Sequence, residues 1–334
     1  MRCVRRIGLA SFAMILVLAV CAPAIAQKLG PDGAPNPTAS VTSEQELLKQ
    51  VPRAEGRIDI PDIKASVLIQ PAGRTWDYFH EVLLHRGGAI VILGMIMVLG
   101  VAYLILGRLR ITAGRSGQKI VRFKAFERFS HWLTAVSFVI LGLTGLNVTF
   151  GKILLLPVMG PDAFSSLSEA AKYAHNFTSF AFVAGLVLIT ATFFKDNIPE
   201  QVDLDWLKQG GGFIKNKHAP AGRFNLGEKV VYWLSLAAGL VVSVSGFVLL
   251  FPFFGTNIAD MQIAQAVHAI VAVLFIALIL GHIYIGTLGM EGAFEAMGTG
   301  EVDLNWAKEH HDVWLARMLA SEDRRGQASA TPAE

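Results

Sequence analysis

The chain has 334 residues, 53% of them apolar and only 16% charged, with a formal net charge of +3. Together with a positive mean hydropathy, this is more apolar surface than one soluble core would bury, so a membrane protein is expected. The small net charge and the scatter of the basic residues argue against nucleic acid as a partner.

Residues 1–26 place Arg2, Arg5 and Arg6 before an apolar run at 7–20 and the small-residue triplet Ala24-Ile25-Ala26. That is the order of a cleavable export signal, with cleavage expected before Gln27. Lipid attachment at Cys21 is the alternative, disfavoured by the bulk of Val20. Both cysteines, Cys3 and Cys21, lie inside this segment. The mature chain therefore has no thiol for a disulfide, an iron–sulfur cluster, c-type haem attachment or a zinc–cysteine site.

Residues 27–87 carry Pro31, Pro35, Pro37, Pro52, Pro61 and Pro71 among mixed charges and read as an exported arm, partly extended, with one short helix at 43–51. Five uncharged stretches follow, at 88–107, 129–151, 173–194, 230–259 and 261–290. Each supplies the roughly 20 residues a helix needs to cross a bilayer. The expected fold is an all-α integral membrane bundle of five helices with an exported N-terminus and a cytoplasmic C-terminus. Charge supports that orientation: 108–128 holds seven Lys/Arg and 195–229 holds six, against two in 152–172 and none in 252–264.

Four of the nine histidines, His131, His175, His268 and His282, fall within or at the ends of the apolar stretches. Ionisable side chains in hydrocarbon are functional candidates by default, although any one of them alone could be an interhelical hydrogen bond. His268 and His282 are about 3.9 turns apart on the fifth helix, so they share a face and differ in depth by roughly 21 Å. His131 begins the second helix on the cytoplasmic side and His175 begins the third on the outer side. Two pairs follow: His175 with His268 for an outer haem, and His131 with His282 for an inner one. Each iron would be held by two neutral imidazoles, which suits electron transfer rather than oxygen binding. Gly142, Gly145, Gly185 and Gly246 fit close approach to a flat macrocycle, or ordinary helix packing. With no thiol in the mature chain, the electrons must come from a partner subunit.

Several runs then carry a resemblance: Arg128-Phe129-Ser130-His131-Trp132, Ala174-His175-Asn176-Phe177, Asp196-Asn197-Ile198-Pro199, Gly222-Arg223-Phe224-Asn225-Leu226-Gly227-Glu228-Lys229, the helix from His268 to His282, and Trp306-Ala307-Lys308-Glu309-His310-His311. They resemble the gamma (cytochrome b) subunit of respiratory formate dehydrogenases, within the di-haem cytochromes b that also serve nickel–iron hydrogenases and thiosulfate reductases. The resemblance implies a four-helix di-haem domain at 119–318 with one extra N-terminal helix at 88–107 and a flexible cytoplasmic tail at 319–334, in the bacterial inner membrane. It implies two haem b. It also implies electrons from a molybdenum or tungsten catalytic alpha subunit, relayed by an iron–sulfur beta subunit, and delivery to ubiquinone or menaquinone beside His282, Asn225 and Gly227. Formate oxidation itself would belong to the partner.

From the residues alone, Asn225 reads as a helix cap, and Arg128 and Arg223 as interface anchors or propionate partners. His80, His85, His218, His310 and His311 read as solvated surface. A hydrogenase or thiosulfate-reductase cytochrome b would keep both haems and change only the donor; a transporter with incidental histidines would bind no haem.

Overall fold

The computed structural model describes residues 73–212, 219–252 and 254–330. The expected signal, most of the exported arm and His218 lie outside them. Among the described residues, five helices are long and apolar enough to cross a membrane: Thr75–Leu106, Ala125–Leu154, Pro161–Phe193, Leu226–Leu250 and Ile258–Gly289. Almost none of their most apolar windows is buried within the protein, from 0% in the first to 22% in the third. Such surfaces need lipid around them, and the chain is a multi-pass membrane protein.

The first span is α1 (Gly88–Leu106), entered through a helical turn at Gly73–Asp77 and a π-helical segment, Tyr78–Gly87. The second and third are α2 (Ala125–Leu154) and α3 (Pro161–Phe193). A short α4 (Gln201–Lys208) precedes α5 (Leu226–Leu250) and α6 (Ile258–Tyr284), the last continued by a π turn at Ile285–Gly289. Then come α7 (Ala293–Gly298), α8 (Leu304–His310) and α9 (Asp312–Ala330). In the bundle α2 packs on α3, α5 on α6, and α1 lies outside the four against α6.

Several boundaries differ from the hydropathy reading, each for a local reason. Residues 73–87, assigned to the arm, are helical and continuous with α1: Gly87 and Gly88 keep right-handed helical angles, and the charges of Glu81 and Arg86 had hidden the segment. The third helix starts at Pro161 rather than 173, because Pro161 occupies its first turn with Asp162 beside it, both favourable at a helix start. His175 therefore lies well inside α3 and not at its beginning. The fourth helix stops at Leu250 rather than 259, since Phe251 precedes Pro252 and leaves the helical region (φ −115°, ψ 69°). The tail expected to be flexible from 319 continues as helix α9 to Ala330, where alanine, arginine and glutamate favour the helix.

The end of the bundle where α2 and α5 begin and α3 and α6 finish is capped by folded chain. Strand β1 (Lys119–Val121) pairs antiparallel with β2 (Glu301–Asp303), Ile120 opposite Val302. Around this ribbon Ile111, Phe123, Phe193, Ala296, Val302, Trp306, Ala307 and Leu315 form a buried core. Gly300 closes it: its carbonyl accepts from the N–H groups of Arg122 (2.8 Å) and Phe123 (3.1 Å). At φ +92° a side chain there would be strained and would meet Phe123 O at 2.6 Å.

Helices α2 and α3 approach most closely at Gly185, where an added Cβ would lie 2.7 Å from Thr134 Oγ1 and 3.0 Å from its backbone. Gly185→Ala should therefore force the helices apart and destabilise the bundle by about 1–3 kcal/mol, read as a lower Tm of the detergent-solubilised protein.

Candidate functional site

The four intramembrane histidines meet as two pairs. His175 on α3 and His268 on α6 have ring centroids 6.2 Å apart; His131 on α2 and His282 on α6 have centroids 6.1 Å apart. A ring nitrogen bound to a first-row metal lies about 2.0 Å from it and about 1.1 Å from its own ring centre, so two imidazoles on opposite sides of one ion have centres about 6.2 Å apart. Both pairs stand at that spacing.

The hydrogen bonds around the first pair fix its tautomers. Thr144 Oγ1 spends its one proton on Ile140 O (2.7 Å), so its 2.8 Å contact with His175 Nδ1 runs from the ring N–H to the hydroxyl oxygen. Ser245 does the same, donating to Val241 O at 2.7 Å and accepting from His268 Nδ1 at 3.1 Å. Each ring is thus held through Nδ1–H, leaving Nε2 with a lone pair, the arrangement typical of metal-ligating histidine. His131 Nδ1 is buried with no hydrogen-bond partner among the described residues, so no contact of the kind seen in the first pair sets its tautomer.

The four glycines divide. A Cβ on Gly145 would lie 3.6 Å from His175 Cε1 and one on Gly246 would lie 3.2 Å from His268 Cε1, so these two lie against the rings. Gly185 serves the contact with Thr134, and Gly142 faces Ile276 at 3.9 Å. The residues present therefore fit bis-histidine haem, with His175 and His268 on one iron and His131 and His282 on the other. Such a haem supplies reversible one-electron transfer. The chain's own contribution is to present neutral imidazoles in fixed orientation and to surround them with apolar helix faces.

The capped end holds Asn225 and Gly227, at the start of α5, beside the finish of α6 that carries His282. Asn225 is the N-cap: Oδ1 accepts from Glu228 N (3.0 Å), and Glu228 Oε2 accepts from Asn225 N (2.8 Å). This capping box is the role expected from residue type alone. A Cβ on Gly227 would touch Asn225 Oδ1 at 3.2 Å and Trp206 at 3.4 Å, so Gly227 allows Trp206 to lie over the turn. Arg223 is occupied by Asp196 (2.6 Å) and Glu127 (2.7 Å), and Arg128 by Thr299 O (2.5 Å). Both arginines tie the cap together.

His311 overturns its surface reading, because it is 1% exposed. Its Nδ1–H donates to Gly222 O (2.9 Å) and its Nε2 accepts from Arg122 Nη2 (3.0 Å). Arg122 is itself buried among Phe123, Phe224, Trp306 and Trp314. Burial, opposed by the charge of Glu228, lowers its pKa to about 10, so it stays protonated at neutral pH. Pattern reading misses this pair because neither residue lies in an apolar run; the tail motif containing His311 was the available signal. At the end of the bundle opposite the cap His80, Glu81 and His85 bring possible ligand atoms within 4.8 Å of one another. A 3.0 Å His80–Glu81 pair and a 2.8 Å contact between His85 Nδ1 and His80 O account for them locally.

Burial, and next the charge of Arg122, hold the His311 pKa well below 6.5. The unfolded chain then takes up a proton that the folded cap refuses, so His311 costs nothing above about pH 6.5 and destabilises the cap as pH falls below it, by at most about 1.4 kcal/mol per pH unit. Hydrogen-exchange protection across 300–318, with the intrinsic pH dependence of amide exchange divided out, should fall below pH 6.5 in wild type and change less with pH in His311→Gln.

The chain is 28% identical over 212 residues to the cytochrome b556(fdo) subunit of formate dehydrogenase from Escherichia coli (strain K12), covering 62% of this chain and 97% of that protein. It is 27% identical to the nitrate-inducible cytochrome b556(Fdn) subunit of the same organism, with 62% and 94% covered. The formate dehydrogenase cytochrome b556 subunit of Haemophilus influenzae is 28% identical over 210 residues, with 61% and 85% covered. The model of the prokaryotic cytochrome b561 family matches residues 122–300, which contain all four paired histidines. By that match over more than half its length, the chain belongs to the prokaryotic cytochrome b561 family.

Proposed function

We propose that this chain is the cytochrome b subunit of a membrane-bound formate dehydrogenase, carrying electrons from an iron–sulfur partner through two b haems to quinone. The single observation behind it is the two histidine pairs at ring separations of 6.1 and 6.2 Å on the shared helix α6. The similarity to formate dehydrogenase cytochrome b556 subunits supports the choice of donor. In this reading the His175–His268 pair faces the exported side, where electrons arrive from the catalytic molybdenum or tungsten subunit through the iron–sulfur subunit. The His131–His282 pair faces the cytoplasm, with quinone held beside His282, Asn225 and Gly227. The membrane is the bacterial inner membrane, with the N-terminus exported.

Taking protons from the cytoplasm while electrons arrive from the other side makes quinone reduction charge-separating. The peripheral α1 and its exported arm serve to dock the iron–sulfur subunit. Deleting 27–72, which leaves the helical lead-in to α1 intact, should release that subunit from purified complexes while leaving haem bound here; co-purification at the wild-type ratio would refute the docking role.

The test of the whole reading is spectroscopic. In membranes carrying the complex, formate should reduce b-type haem, and added quinone should re-oxidise it. Haem that ignores formate but is reduced by hydrogen or a thiosulfate-linked donor would move the chain to another branch of the family.

A further inference from the structure

We propose that Glu228 is the group that passes protons to quinone, with Arg122 and His311 as its positioning residues; this rests on quinone binding against Asn225. The capping box makes Glu228 and Asn225 one unit through two reciprocal hydrogen bonds of 2.8 and 3.0 Å. A molecule held by Asn225 is therefore within a turn of the Glu228 carboxyl. Oε2 is committed to the cap, with His311 Nε2 3.8 Å away, whereas Oε1 has, among the described residues, only Arg122 Nη2 at 3.5 Å. The Glu228 side chain is 39% exposed while those of Arg122 and His311 are 1% each. The carboxyl is thus the open end of an otherwise sealed network.

Elimination among its members points the same way. His311 donates through Nδ1 and accepts at Nε2 from Arg122, so it can gain a proton only by breaking that contact. Arg122 keeps its proton near neutral pH and also donates to Arg223 O at 2.9 Å. The other nearby charges are engaged elsewhere: Lys229 with Asp203, Arg223 with Asp196 and Glu127. Only the Glu228 carboxyl can both release and regain a proton with the hydrogen bonds around it intact.

Quinone becomes quinol by gaining two electrons and two protons. In each protonation the Glu228 O–H bond breaks and a quinone O–H bond forms, as an electron arrives from the His131–His282 end. The carboxylate then recovers a proton from water at the capped end.

Glu228→Gln separates this role from the structural one, since glutamine at the third helical position still completes a capping box but has no carboxyl proton. In complexes reduced beforehand by formate, re-oxidation of b haem by decylubiquinone is followed by stopped flow from pH 6 to 9, with haem content and Tm measured alongside. Glu228→Gln should slow re-oxidation by roughly 100-fold, as loss of a general acid does, with KM for decylubiquinone held. Glu228→Asp should recover most of the rate and its pH dependence. A wild-type rate and pH profile in Glu228→Gln would overturn the proposal, as would loss of haem or of Tm, which would assign Glu228 to structure alone. Asn225→Ala distinguishes the two levels: a raised KM supports quinone binding there whatever Glu228 does, and an unchanged KM removes that reading together with this one.

Discussion

His268→Ala should lower the b haem content from two per chain towards one and reduce electron flow from formate to quinone to background. His268 and His175 face each other at 6.2 Å, and removing one imidazole would leave His175 on α3 alone to hold the group. The other pair should survive, because His282 stands about 21 Å further along α6 and its partner His131 comes from a different helix. The remaining haem should therefore stay reducible from the quinone side, by quinol, and deaf to formate. His282→Ala should give the converse, a haem reduced by formate and not re-oxidised by quinone. Reduced-minus-oxidised spectra with each donor check both, and a matched loss of both haems in either variant would show that the pairs are not independent.

Lys229→Met should destabilise the protein by about 3 kcal/mol or more, since it strands a buried carboxylate. Lys229 Nζ lies 2.8 Å from Asp203 Oδ2 and 3.0 Å from Ile198 O, and the two side chains are 2% and 4% exposed. The lost partner, rather than the net strength of the pair, sets the size of the effect. Lys229→Met combined with Asp203→Leu should therefore recover much of it. Thermal unfolding of the solubilised complex reads both variants; equal Tm in the single and double mutants would contradict the account.

The same pair explains a motif that the residues alone left without a role. Asp196 receives Arg223, the Asn197 side-chain amide donates to Phe193 O (2.9 Å) while the Asn197 backbone carbonyl accepts from Trp233 Nε1 (3.0 Å), and Ile198 O receives Lys229. The Asp-Asn-Ile-Pro run is a clasp between the end of α3 and the start of α5.

What was legible in the sequence follows from the strength of each physical signal. The five spans are visible because hydrocarbon demands long uninterrupted apolar helices. The histidine pairs are visible because imidazole is conspicuous there and the spacing of His268 and His282 fixes a shared face. Span ends are poorly visible: α3 begins among the polar residues after Pro161, and the lead-in to α1 carries Trp76, His80 and Arg86. The cap is hidden altogether, because Ile111, Phe123, Val302 and Trp306 are scattered singly through loops and a tail. Only the pairing of Ile120 with Val302 brings them into one core. The burial of His311 is hidden for the same reason, since nothing within its own stretch of chain shows that Arg122 and Gly222 O will enclose it.

Haem binding by the two histidine pairs is tested by a pyridine haemochrome determination of b haem per chain on the purified wild-type complex, with extinction coefficients referenced to protein by amino-acid analysis. Close to two haems are expected, one for each histidine pair. A folded, membrane-inserted chain without b haem would contradict this and return the four histidines to helix packing.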